Sequence, residues 1–140
     1  MNVGIVGFGS IGSEVAKALI NGVEDFSLYG ITSRSKSNAQ ERIAKLDKNI
    51  KIYDLETLVD NCEIIIDCAP KEAFRDIATK CINKEKKLIT VSGSGILDNL
   101  DLEELAKTKN SQIILATGAI LGLDALRAAS ESNINSVTMT

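Results

Sequence analysis

An α/β fold, with a doubly wound, mostly parallel six-stranded sheet and helices on both faces, is the architecture this sequence predicts, and two observations carry it. Short segments rich in Ile, Val and Leu alternate with helical patterns along the chain, the order that lays helices over the faces of a parallel sheet. The first such segment, at 2–6, runs straight into Gly7-Phe8-Gly9-Ser10-Ile11-Gly12 and then a helix. That succession of strand, glycine turn and helix opens a Rossmann-type unit.

Taken in order, strands are predicted at 2–6, 26–32, 50–53, 63–68, 87–92 and 112–116, most of them short aliphatic runs of the kind buried on both faces. Helices are predicted over about 11–21, 38–46, 54–60, 71–83, 101–108 and 121–132. In the first of these, Ile11, Val15, Ala16 and Leu19 recur at helical spacing. Asp54, Asp98 and Asp101 stand where a carboxylate caps a helix or occupies its first turn. Pro70, the single proline, falls between a strand and a helix, where a fixed φ and a missing N–H are tolerated. With no internal repeat, low-complexity tract or linker, residues 1–140 read as one domain, and 134–140 reads as the start of a further strand.

Composition narrows the partners. At 140 residues with 44% hydrophobic side chains, the chain is long and apolar enough to build one core. A net charge of −3 and a pI near 5.0, without any basic stripe, argue against nucleic acid and anionic membrane. No apolar run approaches the roughly 20 residues that span a bilayer, and no secretory signal opens the chain, so a cytoplasmic location is expected. Cys62, Cys68 and Cys81 lack CxxC spacing, and the sequence has no histidine. No metal site is therefore expected, and the cysteines read as reduced and mostly buried.

The glycine triplet carries the first functional signal. Gly7 permits the tight turn, Gly9 lets backbone approach a pyrophosphate, and Gly12 lets helix and strand pack closely. The helix that follows points its free N–H groups and positive dipole end at the phosphates. Cofactor choice is normally made at the end of the second strand, where an acid holds the ribose 2′-hydroxyl of NAD and an arginine accommodates the 2′-phosphate of NADP. Here the residues are Gly30-Ile31-Thr32-Ser33-Arg34-Ser35-Lys36, with no acid before Glu41. Arg34 either lies on the adenine or forks a 2′-phosphate, with Ser33 and Ser35 supplying hydroxyls; the alternative is a solvated loop charge. NADP is favoured over NAD, without excluding NAD.

Two other strand ends face the same crevice, because ligands in open α/β sheets bind at the carboxyl ends of strands. Asp67-Cys68-Ala69-Pro70 offers small residues, Ala69 among them, past which a nicotinamide ribose can run, while Asp67 either serves the site or only ends a strand. Val91-Ser92-Gly93-Ser94-Gly95 either lines a nicotinamide pocket, through Ser94, or simply turns the chain.

A third strand end narrows the reading further. Ala116-Thr117-Gly118-Ala119-Ile120-Leu121-Gly122-Leu123-Asp124-Ala125-Leu126 resembles the Ser-Gly-Ala-Ile-x-Gly-Leu-Asp-Ala-Leu segment of the L-aspartate dehydrogenase family, with Thr117 in place of the serine. Together with Gly7 to Gly12 and the 91–95 stretch, the resemblance covers essentially the whole chain. It implies an NAD(P)-dependent, reversible oxidation of L-aspartate to iminoaspartate by hydride transfer, with iminoaspartate feeding NAD biosynthesis. It also implies that Ala119 sits where the backbone contacts the cofactor.

Members of that family continue for roughly another domain, which holds the substrate pocket, an asparagine near the nicotinamide and a catalytic histidine. This sequence stops at Thr140 without a histidine, so the resemblance implies that it is the cofactor-binding part of a longer amino-acid dehydrogenase. Within these residues Lys71, Asp67, Asp124 and Ser94 are the groups able to handle a proton, and none is singled out as catalytic. Two other readings stay open: a homoserine-dehydrogenase-like or other amino-acid oxidoreductase, and a stand-alone NAD(P)-sensing module. An absent second domain leaves apolar surface that favours homo-oligomers.

Overall fold

The computed structural model describes residues 1–46, 49–117, 127–131 and 133–138. Five parallel strands form one sheet in the order β2-β1-β3-β4-β5, with β1 at Asn2–Val6, β2 at Ser27–Thr32, β3 at Ile64–Asp67, β4 at Lys87–Thr90 and β5 at Gln112–Leu115. Six helices, α1 (Ser10–Gly22), α2 (Lys36–Leu46), α3 (Leu55–Asn61), α4 (Phe74–Asn83), α5 (Gly93–Leu97) and α6 (Asp101–Thr108), alternate with them among the described residues. The chain steps from β1 outward to β2 and then crosses back to β3 on the other side of β1. That reversal creates a switch point between β1 and β3.

The doubly wound class is as the sequence predicts, but five strands stand where six were expected. The 50–53 segment contributes only a parallel bridge, Ile31 to Ile52, outside β2. The Ile31 N–H donates to the Lys51 carbonyl and the Tyr53 N–H to the Ile31 carbonyl, each at 2.9 Å. One residue later Asp54 caps α3, accepting from the Thr57 N–H at 2.8 Å and the Thr57 hydroxyl at 2.9 Å. The chain turns into a helix before a second pairing step can form. Asp101 lies in the first turn of α6 as expected, whereas Asp98 closes the C-terminal end of α5. The helix expected over 71–83 begins as a 3-10 turn at Lys71–Ala73, with Pro70 at its N-terminal boundary. The helix expected at 121–132 lies largely outside the described residues.

Alternation along the strands fills two cores. On one face Ile5 and Ile31 pack with Phe8, Ala16 of α1, and Ala39 and Ile43 of α2. On the other, Val6, Ile65 and Leu88 pack with Leu58 and Val59 of α3, with Phe74, Ile77 and Ile82 of α4, and with Leu102 of α6. Helices therefore cover both faces, and the central strands are mostly apolar because both faces are packed. Cys62 and Cys81 are buried free thiols and Cys68 is half-buried; burial is the main cause that pushes Cys62 and Cys68 up to about 11 and Cys81 to about 12. No helix among the described residues is long and apolar enough to cross a membrane.

Ile65 is fully buried at the middle of the sheet, paired with Gly4 on one side and Leu88 on the other. Ile65→Ala is expected to cost about 2–5 kcal/mol, since it removes buried methyl groups and leaves a cavity. A urea titration checks this through the unfolding midpoint.

Candidate functional site

The strand register brings five carboxyl ends to one level, pairing Val6 with Thr32 and Asp67, Asp67 with Thr90, and Thr90 with Leu115. Over the ends of β1, β2 and β3 lies a cleft of about 770 Å³. Its floor is a backbone crossing. Gly7 has φ +87°, and a Cβ there would stand 2.7 Å from the Ala69 nitrogen and from the Cys68 carbonyl carbon and oxygen. The Gly7 N–H donates to the Thr32 carbonyl at 2.9 Å, and the Cys68 N–H to the Val6 carbonyl at 2.7 Å. A Cβ on Gly12 would collide with the Gly7 carbonyl oxygen, whereas one on Gly9 would meet nothing within 4 Å. Gly9 also begins α1, which has no side-chain cap and no acid in its first turn. Unpaired N–H groups and the positive end of the helix dipole are thus left beside open space.

Of the residues expected at a cofactor site, Gly7, Phe8, Gly9, Ile11, Ser33, Arg34 and Ala69 line this one cleft. The Phe8 ring is buried in the core with Ile5 and Ile31, which leaves its backbone to the cleft. Ser10 is the exposed first residue of α1, and Gly12 is buried beneath the turn. Ser94 is exposed on α5 and does not line the cleft; Ala119 and Asp124 lie outside the described residues. The 92–95 stretch is a helix start rather than a loop, with the Ser92 hydroxyl accepting from the Gly95 N–H at 3.2 Å. Asn38, Arg42, Leu55 and Asp76 also line the cleft. In the sequence, only the four-residue spacing of Asn38 and Arg42 along one helix links any of them.

Beneath the floor sits Asp67, 1% exposed. Its Oδ1 accepts from the Ala69 N–H at 2.9 Å and its Oδ2 from the Thr90 hydroxyl at 2.8 Å. The Thr90 oxygen in turn accepts from the Ser92 N–H at 3.0 Å. Burial pushes the Asp67 carboxyl above its ordinary value of 3.8, against the lowering effect of the Ala69 and Thr90 hydrogen bonds. Asp67 is a brace between the turns after β3 and β4, out of reach of the cleft. Lys71 is exposed and pairs with Asp98 at 3.5 Å, away from the cleft lining. Neither residue lines the cleft.

A glycine cradle open at the switch point of a doubly wound sheet defines a dinucleotide-binding domain of the dehydrogenase type. The chain belongs to the family described as homoserine dehydrogenase, NAD binding domain, which matches residues 7–116. It is 35% identical to L-aspartate dehydrogenases of Bradyrhizobium diazoefficiens and Methanocella arvoryzae, over 99% of its own length and 49% and 52% of theirs. The chain therefore spans about half the length of the curated relatives it matches. Among solved structures it is similar to that of a probable dehydrogenase from Thermotoga maritima, with a TM-score of 0.74 at 19% identity over 94% of this chain and 41% of that one. The apo scyllo-inositol dehydrogenase of Lactobacillus casei gives a TM-score of 0.70 at 18% identity, over 94% of this chain and 40% of that one.

The Asp67 shift has a measurable sign. Because the folded protein holds this proton more tightly than the unfolded chain does, the group's contribution is most favourable below pH 3.8 and is lost as pH rises through the folded value. Asp54, Glu63 and Asp101 are lowered by their hydrogen bonds and act in the opposite direction, equally in parent and variant. Asp67→Asn is expected to gain stability relative to the parent as pH rises through that window. Denaturant melts at a series of pH values test this, and parallel profiles would contradict it.

Proposed function

We propose that this chain is the NAD(P)-binding half of an L-aspartate dehydrogenase, with NADP preferred over NAD. The observation that carries the reading is Gly9, which has no neighbour within 4 Å where a Cβ would stand, while Gly7 and Gly12 on either side are packed against backbone. A turn closed at two glycines and open at the third, beside an uncapped helix, is suited to the close approach of a pyrophosphate.

In this reading Gly7, Gly9 and the first N–H groups of α1, at Ser10, Ile11 and Gly12, hold the pyrophosphate, and Phe8 anchors the turn through its ring. Ser33 and Arg34 take the adenosine ribose at the end of β2. Ala69, small and above the Asp67 brace, leaves room for the dinucleotide to cross from β2 toward β4. Ser94 and Ala119 are assigned to the nicotinamide side. A bound nicotinamide dinucleotide supplies or accepts the hydride. No residue of this chain is assigned the proton that leaves the amine.

Residues 1–140 form the cofactor domain, with 134–140 leading into a catalytic domain that carries the substrate pocket. The exposed Ile114 and Leu115 on β5 support a further packed surface there, either that domain or a second copy. The reaction is L-aspartate to iminoaspartate, a step that feeds NAD biosynthesis in the cytoplasm. Relatives named for this activity align along 99% of the chain, which supports L-aspartate over other amino acids.

Gly9→Ala is expected to weaken NADPH and NADH binding at least tenfold, measured by fluorescence titration, with its melting free energy within about 1 kcal/mol of the parent because the new methyl meets no neighbour and costs only at the helix cap. Failure of the parent to bind either dinucleotide at millimolar concentration would remove the cofactor reading. For the activity, the complete protein is expected to reduce NADP+ with L-aspartate and not with L-homoserine; the reverse preference would overturn the substrate.

A further inference from the structure

The cleft holds a second arginine at its β2 end. We propose that Arg42, supported by Asn38, forms with Arg34 a two-guanidinium clamp for the 2′-phosphate of the dinucleotide, and that Arg42 is a determinant of NADPH over NADH. This rests on the reading that a dinucleotide lies in the cleft with its adenosine ribose at the end of β2.

Position is the first argument. The α2 helix starts at Lys36, directly after the Ser33–Ser35 turn, and buries Ala39 and Ile43 against the sheet. Asn38 and Arg42, each one residue before a buried position and four apart, share the adjoining rim of the helix. Both are exposed and both line the cleft with Ser33, Arg34 and Ser35.

Charge is the second. Among the described residues neither Arg34 nor Arg42 has an ion-pair partner, although acids lie close by in sequence and in the cleft. Glu41 is engaged by Lys45 at 3.2 Å, and Asp76, which lines the cleft, by Lys80 at 2.6 Å. Arg75, by contrast, forms a fork with Asp101 at 3.0 and 2.8 Å. The first turn of α2 contains no acid, so its positive end is not neutralised from within. Two guanidinium groups without ion-pair partners among the described residues line this cleft beside an unneutralised helix start, and its one lining carboxylate, Asp76, is held by Lys80. A 2′-hydroxyl asks for an acceptor, and this corner offers donors. A phosphate dianion takes forked donors, which is what a guanidinium supplies.

Having two arginines also resolves the choice left open for Arg34. One guanidinium can lie against the adenine while still donating from its edge, and the second can face the phosphate. The phosphate is then bound by residues from two elements, the turn after β2 and the second turn of α2.

The test is equilibrium binding of NADPH and NADH to the chain and to Arg42→Gln, Arg34→Gln and the double variant, with 2′-AMP and 5′-AMP as competitors. Arg42→Gln is expected to weaken NADPH at least tenfold and leave NADH within twofold. It should also reduce the advantage of 2′-AMP over 5′-AMP and flatten the salt dependence of NADPH binding. The double variant should bind the two dinucleotides alike. Arg42 is exposed and unpaired, so an unchanged circular dichroism melt is expected and separates binding from folding. Equal loss for both dinucleotides, or no change in either, overturns the clamp. A parent that binds both equally overturns the clamp and the NADP preference while leaving the dinucleotide reading intact; a parent that binds neither removes that reading itself.

Discussion

Everything at the carboxyl end of this sheet depends on how closely the turn after β1 passes the turn after β3. A side chain at Gly7 would stand 2.7 Å from the Cys68 carbonyl and the Ala69 nitrogen, and the φ of +87° is one that L side chains rarely adopt. At the same crossing the Cys68 N–H donates to the Val6 carbonyl at 2.7 Å. The same turn brings the start of α1 down onto the Gly7 carbonyl, where Gly12 has no Cβ to prevent it. Two contacts made without side chains therefore fix where α1 begins and which way its first N–H groups look. Gly9, between them, makes neither contact and is left beside the cleft.

That crossing needs support from below, and a buried carboxylate supplies it. Asp67 spends both oxygens within the protein, one on the Ala69 N–H and one on the Thr90 hydroxyl. Thr90 passes the link to Ser92, whose own hydroxyl caps α5. The turns after β3 and β4 are thus tied through one set of hydrogen bonds, with Asp67 and Thr90 buried at its centre. A carboxylate kept this far from water is costly unless hydrogen-bonded, and its raised pKa is the residue of that cost. The raised value reports desolvation, with both oxygens held by the Ala69 and Thr90 hydrogen bonds.

What was legible in the sequence followed from local rules. The Gly7 to Gly12 motif, the Asp54 cap and the Pro70 boundary are set by conformations open to few residue types, so residue identity alone locates them. The 50–53 segment has the composition of a strand, but pairing depends on how long the chain can stay extended beside β2, and the Asp54 cap ends that after Tyr53. The 93–97 helix was hidden by its two glycines, poor helix formers; a Cβ on Gly95 would stand 2.8 Å from the Phe74 ring, a tertiary reason that no local pattern shows. Asp67 read equally as site or strand end because burial is invisible in a sequence. Arg42 lines the cleft together with Arg34 only once α2 folds back over the end of β2, a juxtaposition that no local pattern shows.

The distribution of charge in the cleft follows from the same geometry. The chain is acidic overall, at −3, so a free cationic corner is not a consequence of composition. Acidic partners are present and taken: Glu41 by Lys45, Asp76 by Lys80, Asp98 by Lys71, Asp101 by Arg75. Each of those is an exposed pair of small energetic weight, and any of the lysines could have been an arginine or absent at little cost to folding. What distinguishes Arg34 and Arg42 is that both line the cleft, one from the turn after β2 and the other from the second turn of α2, and neither has an ion-pair partner among the described residues. On the proposed reading, with a pyrophosphate at Gly9, a further anion at that corner would satisfy both guanidinium groups.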